Sequence, residues 1–132
     1  MLSGLQELIL RGCKLNDRSM DDLAGLLCKK ENCLERFDVT GNEMTYAGAG
    51  KIFHVLKRDP KTRWVNMSHN DINPSEKGPQ IFGSFMRSNN SIIFINLSNC
   101  NIGEHCSIPL LEQLGENNNL ITFVISNNQL GV

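Results

Sequence analysis

One eleven-residue pattern recurs five times in this chain: LQELILRGCKL (5–15), LERFDVTGNEM (34–44), TRWVNMSHNDI (62–72), IIFINLSNCNI (92–102) and LITFVISNNQL (120–130). The five align without a gap. Apolar or near-apolar residues hold places one, four, six and eleven, and place nine is Cys13, Asn42, Asn70, Cys100 and Asn128 in turn, at separations of 29, 28, 30 and 28. Self-similarity at such a period marks a repeat architecture, because a unit this small cannot bury its apolar face alone and must lie against copies of itself. Thr62 is the one polar residue at place one, which predicts a looser start to the third strand.

Within each copy, places four and six alternate as a short strand does, which puts Leu8 and Leu10, Phe37 and Val39, Val65 and Met67, Ile95 and Leu97, Phe123 and Ile125 on one inward face. After place six the chain turns, exposing backbone donors and acceptors to a dry interior. An Asn carboxamide at place nine can bridge such groups between neighbouring copies, and a Cys thiol can replace it as a small filler with a weak donor. Cys13, Asn42, Asn70, Cys100 and Asn128 are therefore read as a structural ladder. Between the strands the period changes. Counting from place nine, apolar residues recur at +7, +10, +11 and +14, giving Met20, Leu23, Ala24 and Leu27, then Ala49, Ile52, Phe53 and Leu56. The fourth copy gives Ser107, Leu110, Leu111 and Leu114, and in the third the set slides by one to Gly78, Ile81, Phe82 and Phe85. That spacing is one face of an amphipathic helix. Asn16 and Asp17, Thr45, and Pro74 with Ser75 are suited to start helices one to three. Pro109 predicts that the fourth starts late or with an irregular turn near 104–107.

The pattern resembles the leucine-rich repeat, L-x-x-L-x-L-x-x-N/C-x-L, and its period is similar to that of the ribonuclease-inhibitor-like subclass. The resemblance covers essentially the whole chain. It implies an α/β fold, a right-handed solenoid of about five repeats in one domain (1–132), with parallel strands lining a concave face and helices on the convex one. Neither terminal repeat carries an evident cap, which predicts either a piece of a longer array or an end-to-end partner. All thirteen Lys and Arg residues precede position 88, whereas 88–132 holds three glutamates and no basic residue, a polarity suited to end-to-end self-association.

Net charge of −1 argues against a nucleic-acid or anionic-membrane binder. Five cysteines at irregular spacing do not form a disulfide framework, and no signal-like segment or membrane-length apolar run is present, so the expected setting is reducing and cytoplasmic. No catalytic constellation is expected: His54, His69 and His105 lie in three different repeats, and a nucleophile must sit within hydrogen-bond reach of its base. Cys28 and Cys33 in CKKENC lack two further zinc ligands at suitable spacing, and His105 beside Cys106 is a poor pair for one ion, so no metal and no cofactor is expected. GAG at 48–50 reads as room for close helix packing. The sequons at Asn66 and Asn96 arise from polar residues flanking place six, and neither these nor Asn89 is read as glycosylated.

The outward places form columns. Place three gives Glu7, Arg36, Trp64, Phe94 and Thr122, and place five gives Ile9, Asp38, Asn66, Asn96 and Val124. Exposed aromatics beside an arginine have the composition of a binding hot spot. A non-enzymatic module is expected, holding a polypeptide partner through Trp64 and Phe94 with polar contacts from Arg36, Asp38, Asn66 and Asn96. What the resemblance implies about the partner divides by family. Tropomodulin-like and other actin-regulating proteins use such a repeat for docking, and the short array fits their size. Cytosolic immune receptors use it as a sensor end, and LLCKKENCLERF looks a little like theirs. A Ran-regulator-like GTPase activator is the alternative of a different class.

Overall fold

A computed structural model describes residues 4–29, 31–72, 85 and 87–130, with the backbone alone at Ser107. Five three-residue strands, β1 (Glu7–Ile9), β2 (Arg36–Asp38), β3 (Trp64–Asn66), β4 (Phe94–Asn96) and β5 (Thr122–Val124), form one parallel sheet in chain order. Each occupies places three to five of its motif, and pairing joins equal places: Leu8 to Phe37, Val65, Ile95 and Phe123 in succession. The described helices are α1 (Asp17–Leu27), α2 (Tyr46–Leu56) and α3 (Ser107–Gly115). The proposed third-repeat helix start at Pro74 and Ser75, with Gly78, Ile81 and Phe82, lies outside the described residues. No helix among the described residues is long and apolar enough to cross a membrane.

Sheet and helices share one core. Phe37, Val39, Val65, Met67, Ile95 and Leu97 contribute places four and six, and Met20, Leu27, Ala49, Ile52, Phe53, Leu56 and Leu110 contribute the helical face. Phe85 packs on Phe53 with ring centroids 4.6 Å apart. Leu8, Leu10, Leu114, Phe123 and Ile125 are only partly buried, and among the described residues one predicted core position is exposed: Leu111, at 64%. Its counterpart Phe53 is covered by the following repeat through Phe85, and among the described residues no helix lies beyond α3 to cover Leu111.

Turn chemistry fixes the repeat. Place eight is Gly12, Gly41, His69, Asn99 and Asn127, and all five adopt the left-handed region, with φ between 54° and 68°. Glycine and asparagine tolerate that conformation best. His69 is therefore a turn residue under backbone strain. At place nine, Asn42 accepts the N–H of Cys13 (2.9 Å) and Leu15 (3.0 Å) from the preceding repeat while donating to the carbonyls of Leu10 and Val39. Asn70 and Asn128 act alike. Cys100 fills the same place with one donor, its Sγ lying 3.3 Å from the Met67 carbonyl, and burial pushes its thiol pKa up to about 12. Cys13, with no described repeat before it, is exposed.

A second polar ladder joins the helix ends to the strands. Asp59, Asn89 and Asn117, each three residues before place one, accept the N–H of Thr62, Ile92 and Leu120, and Asn32 does the same for Leu34. Thr62 is consequently fully buried, its hydroxyl donating to Asp59 (2.7 Å). The start of β3 is held, not loose. At the helix starts, Asn16 and Ser19 form a reciprocal capping box on α1. Asp17 reaches across to α2, accepting from the Thr45 N–H (2.8 Å), the Thr45 hydroxyl and the Gly48 N–H (3.1 Å). A Cβ at Gly48 would lie 2.4 Å from that carboxylate oxygen, so the glycine is required by this close approach. The irregular start expected before Pro109 is a 3-10 turn, Glu104–Cys106, leading into α3.

Candidate functional site

Parallel pairing in register stacks equal places about 4.8 Å apart, close to the spacing at which flat groups stack. Place three exploits this. Trp64 and Phe94 are stacked, with 3° between their ring planes and centroids 4.9 Å apart. On the other face of the indole lies the Arg36 guanidinium, its carbon 3.9 Å from the ring centroid. The result is a three-layer column of cation, indole and phenyl across β2, β3 and β4 on the side of the sheet opposite the core. All three side chains are half-buried. Stacking and cation–π attraction each contribute about 0.5–1.5 kcal/mol at such sites, enough to fix the column before anything binds. Because it lies flat on Trp64, Arg36 holds its Nε buried and without an acceptor among the described residues.

Place five beside it is a row of side chains turned back on the chain. Asn66 Oδ1 accepts the N–H (3.0 Å) and hydroxyl (2.7 Å) of Ser68, and Asn96 Oδ1 accepts the N–H of Ser98 (2.9 Å). These Asx turns end the strands and explain why an Asn-x-Ser sequence recurs at the period. Their carbonyl oxygens are used, but the Nδ2 groups of Asn66 and Asn96 make no protein hydrogen bond among the described residues. Asp38 repeats the turn, accepting from the Thr40 N–H (3.0 Å) and hydroxyl (2.6 Å). Its second oxygen receives Arg11 Nε and Nη2, each at 2.7 Å.

Parity along the strand places Asp38 among the groups that meet a partner, and here the structure differs. Its side chain is fully covered, whereas that of Arg11 is 56% exposed. A buried carboxylate needs its charge met on the spot, and Arg11, at place seven one repeat back, meets it. The charged group offered to solvent is therefore the arginine. The turn at places five and seven carries the signal that could have found this pairing: an acidic residue at place five with an arginine diagonally across in the preceding repeat.

The remaining chemistry-bearing residues are dispersed. His54 and His69 are exposed on α2 and on the turn after β3, and Cys28 and Cys33 each direct Sγ to a local carbonyl. Among the described residues no three His, Cys, Asp or Glu side chains are placed to hold a metal ion.

No protein-family model matches the chain, and no curated protein matches it in sequence. Among solved structures, the C-terminal domain of tropomodulin from Caenorhabditis elegans is similar, with a TM-score of 0.77 at 18% identity over 94% of this chain and 75% of that one. At that identity the likeness is one of fold, and it agrees with the leucine-rich repeat pattern.

Proposed function

We propose that this chain is a non-catalytic interaction scaffold: a single leucine-rich repeat domain, curved as a right-handed solenoid, that holds a polypeptide partner on the concave side of its sheet. The column of Arg36, Trp64 and Phe94 carries this reading. It is a rigid aromatic surface with a cation at one end, the composition in which binding energy concentrates. Around it, the Nδ2 groups of Asn66 and Asn96 are donors left open for a partner's carbonyls, and Asp38 acts through Arg11, which it holds at the surface. A cytoplasmic protein of the cytoskeletal or signalling class fits such a scaffold.

The test is affinity capture from cytosol with the wild-type chain beside the Trp64→Ala, Phe94→Ala double variant, both checked for native circular dichroism. Loss of two hot-spot aromatics weakens binding by at least about 2 kcal/mol, roughly thirtyfold. A polypeptide retained by the wild type and lost by the variant fulfils the proposal. Equal retention by both moves the working surface to the helices and ends it.

A further inference from the structure

A second region, away from the sheet face, has a different chemistry. Where the C-terminal ends of α1 and α2 meet the turns that follow them, a cavity of about 500 Å3 opens, within the range of roughly 300–1,000 Å3 typical of small-molecule sites. Leu27, Val55 and Pro60 give it an apolar lining, and Lys29, Arg58 and Lys61 bring three permanent cations to it, with His54 beside them.

Among the described lining residues Asp59 is the one carboxylate, and it is spent on the turn. Its Oδ1 accepts the N–H of Lys61 (2.7 Å) and of Thr62 (3.3 Å), and its Oδ2 accepts the Thr62 hydroxyl. Lys61 gives one proton to the Asn32 carbonyl (2.8 Å), while Lys29 and Arg58 form no ion pair among the described residues. Cations near helix C-termini do offset the helix dipole. Here, however, neutral carboxamides already cap those ends: Asn32 Nδ2 donates to the Leu27 carbonyl (2.9 Å) and Asn89 Nδ2 to that of Leu56 (2.7 Å). Three cations thus converge on one cavity, and two of them, Lys29 and Arg58, have no ion-pair partner among the described residues.

We infer that this cavity binds a phosphate-bearing small ligand. A phosphate monoester carries a charge near −2 on three acceptor oxygens, which suits several cations where a single carboxylate suits one. Arg58 supplies a planar fork for two of those oxygens, and the lysines act as point charges. The ligand phosphate can belong to a soluble ester or to a lipid headgroup.

Calorimetric titration of the 132-residue chain with inositol hexakisphosphate tests the assignment. One saturable site is expected, weakened at least tenfold in the Lys29→Glu, Arg58→Glu variant and less than twofold in a charge-matched Lys14→Glu, Arg18→Glu control. All four positions are exposed, and the milder Arg58→Ala variant, with native circular dichroism as the criterion, guards against loss of fold. Absence of saturable binding, an equal loss in both charge-reversed pairs, or equally tight binding of octaglutamate overturns the inference. Vesicles containing phosphatidylinositol bisphosphate distinguish the sources: binding that inositol hexakisphosphate displaces assigns a headgroup, and no vesicle binding assigns a free ester. Vesicle binding that it does not displace overturns the site.

Discussion

The same motif places are buried to different degrees in the middle and at the two flanks of this array. Phe37, Val39, Val65 and Met67 in the second and third repeats have no exposed surface, whereas Leu8, Leu10, Phe123 and Ile125 in the first and fifth are only partly covered. The sequence pattern is equal in all five, so the difference lies in the neighbours. A repeat's stability is largely the interface it shares with the next, which is the nearest-neighbour behaviour of stacked arrays. The polar ladder behaves in the same way: Asn42 and Asn70 bridge two repeats, while Cys13 has no described repeat on one side.

Substitutions at equal places should expose this contrast. Phe37→Ala removes a fully buried ring and is expected to cost about 3–5 kcal/mol in urea denaturation. Phe123→Ala should cost less than half of that, and equal losses would break the comparison. At place nine, Asn70→Ala strands the carbonyls of Val39 and Met67 and should cost about 2–3 kcal/mol, whereas Cys13→Ala should stay within about 0.5 kcal/mol, as for a surface substitution. Among helical glycines, Gly48→Ala should destabilise by about 1–3 kcal/mol through its contact with Asp17. Gly25→Ala, which meets nothing within 4 Å, should stabilise by up to about 1 kcal/mol through helix propensity.

The thiols sharpen the contrast further. Since the folded-state pKa of Cys100 is raised to about 12 by burial, its contribution to stability is complete below the ordinary thiol range near pH 9 and is lost as pH rises from there toward 12. At pH 8 the alkylation of Cys100 in the native state should be at least a hundredfold slower than that of exposed Cys13 and Cys28, measured by mass spectrometry. A small effect is expected at His69, whose left-handed backbone costs about 1–2 kcal/mol. The change to glycine should raise the denaturation midpoint slightly, since the glycine's extra unfolded-state entropy offsets about half of that gain.

Much of this organisation is readable in the sequence because the repeat supplies five independent copies of each observation. The alternation at places four and six, the helical spacing after place nine and the Trp64–Phe94 adjacency all follow from aligning the motif with itself. Three features escape that alignment for physical reasons. Asp38 looks like an exposed polar group by parity, yet the turn at places five and seven folds its carboxylate inward and Arg11 seals it. Leu111 fits the helical face but needs a neighbouring helix to cover it. The ladder of Asn32, Asp59, Asn89 and Asn117 falls in turns, where asparagines look like generic loop residues. Only their position ahead of place one marks them as structural. Thr62, read as a weak point, is the same lesson from the other side, since its hydroxyl is what that ladder engages.

On the proposed reading, a partner docks on the sheet face, with Arg36, Trp64 and Phe94 stacked across it. A photoreactive phenylalanine analogue placed at Asn96, beside that stack, and separately at His54 on the exposed side of α2, tests it most directly. Irradiation in cytosol is expected to join one discrete polypeptide to the chain from position 96 and not from position 54. Cross-linking of that polypeptide from position 54 alone would contradict it.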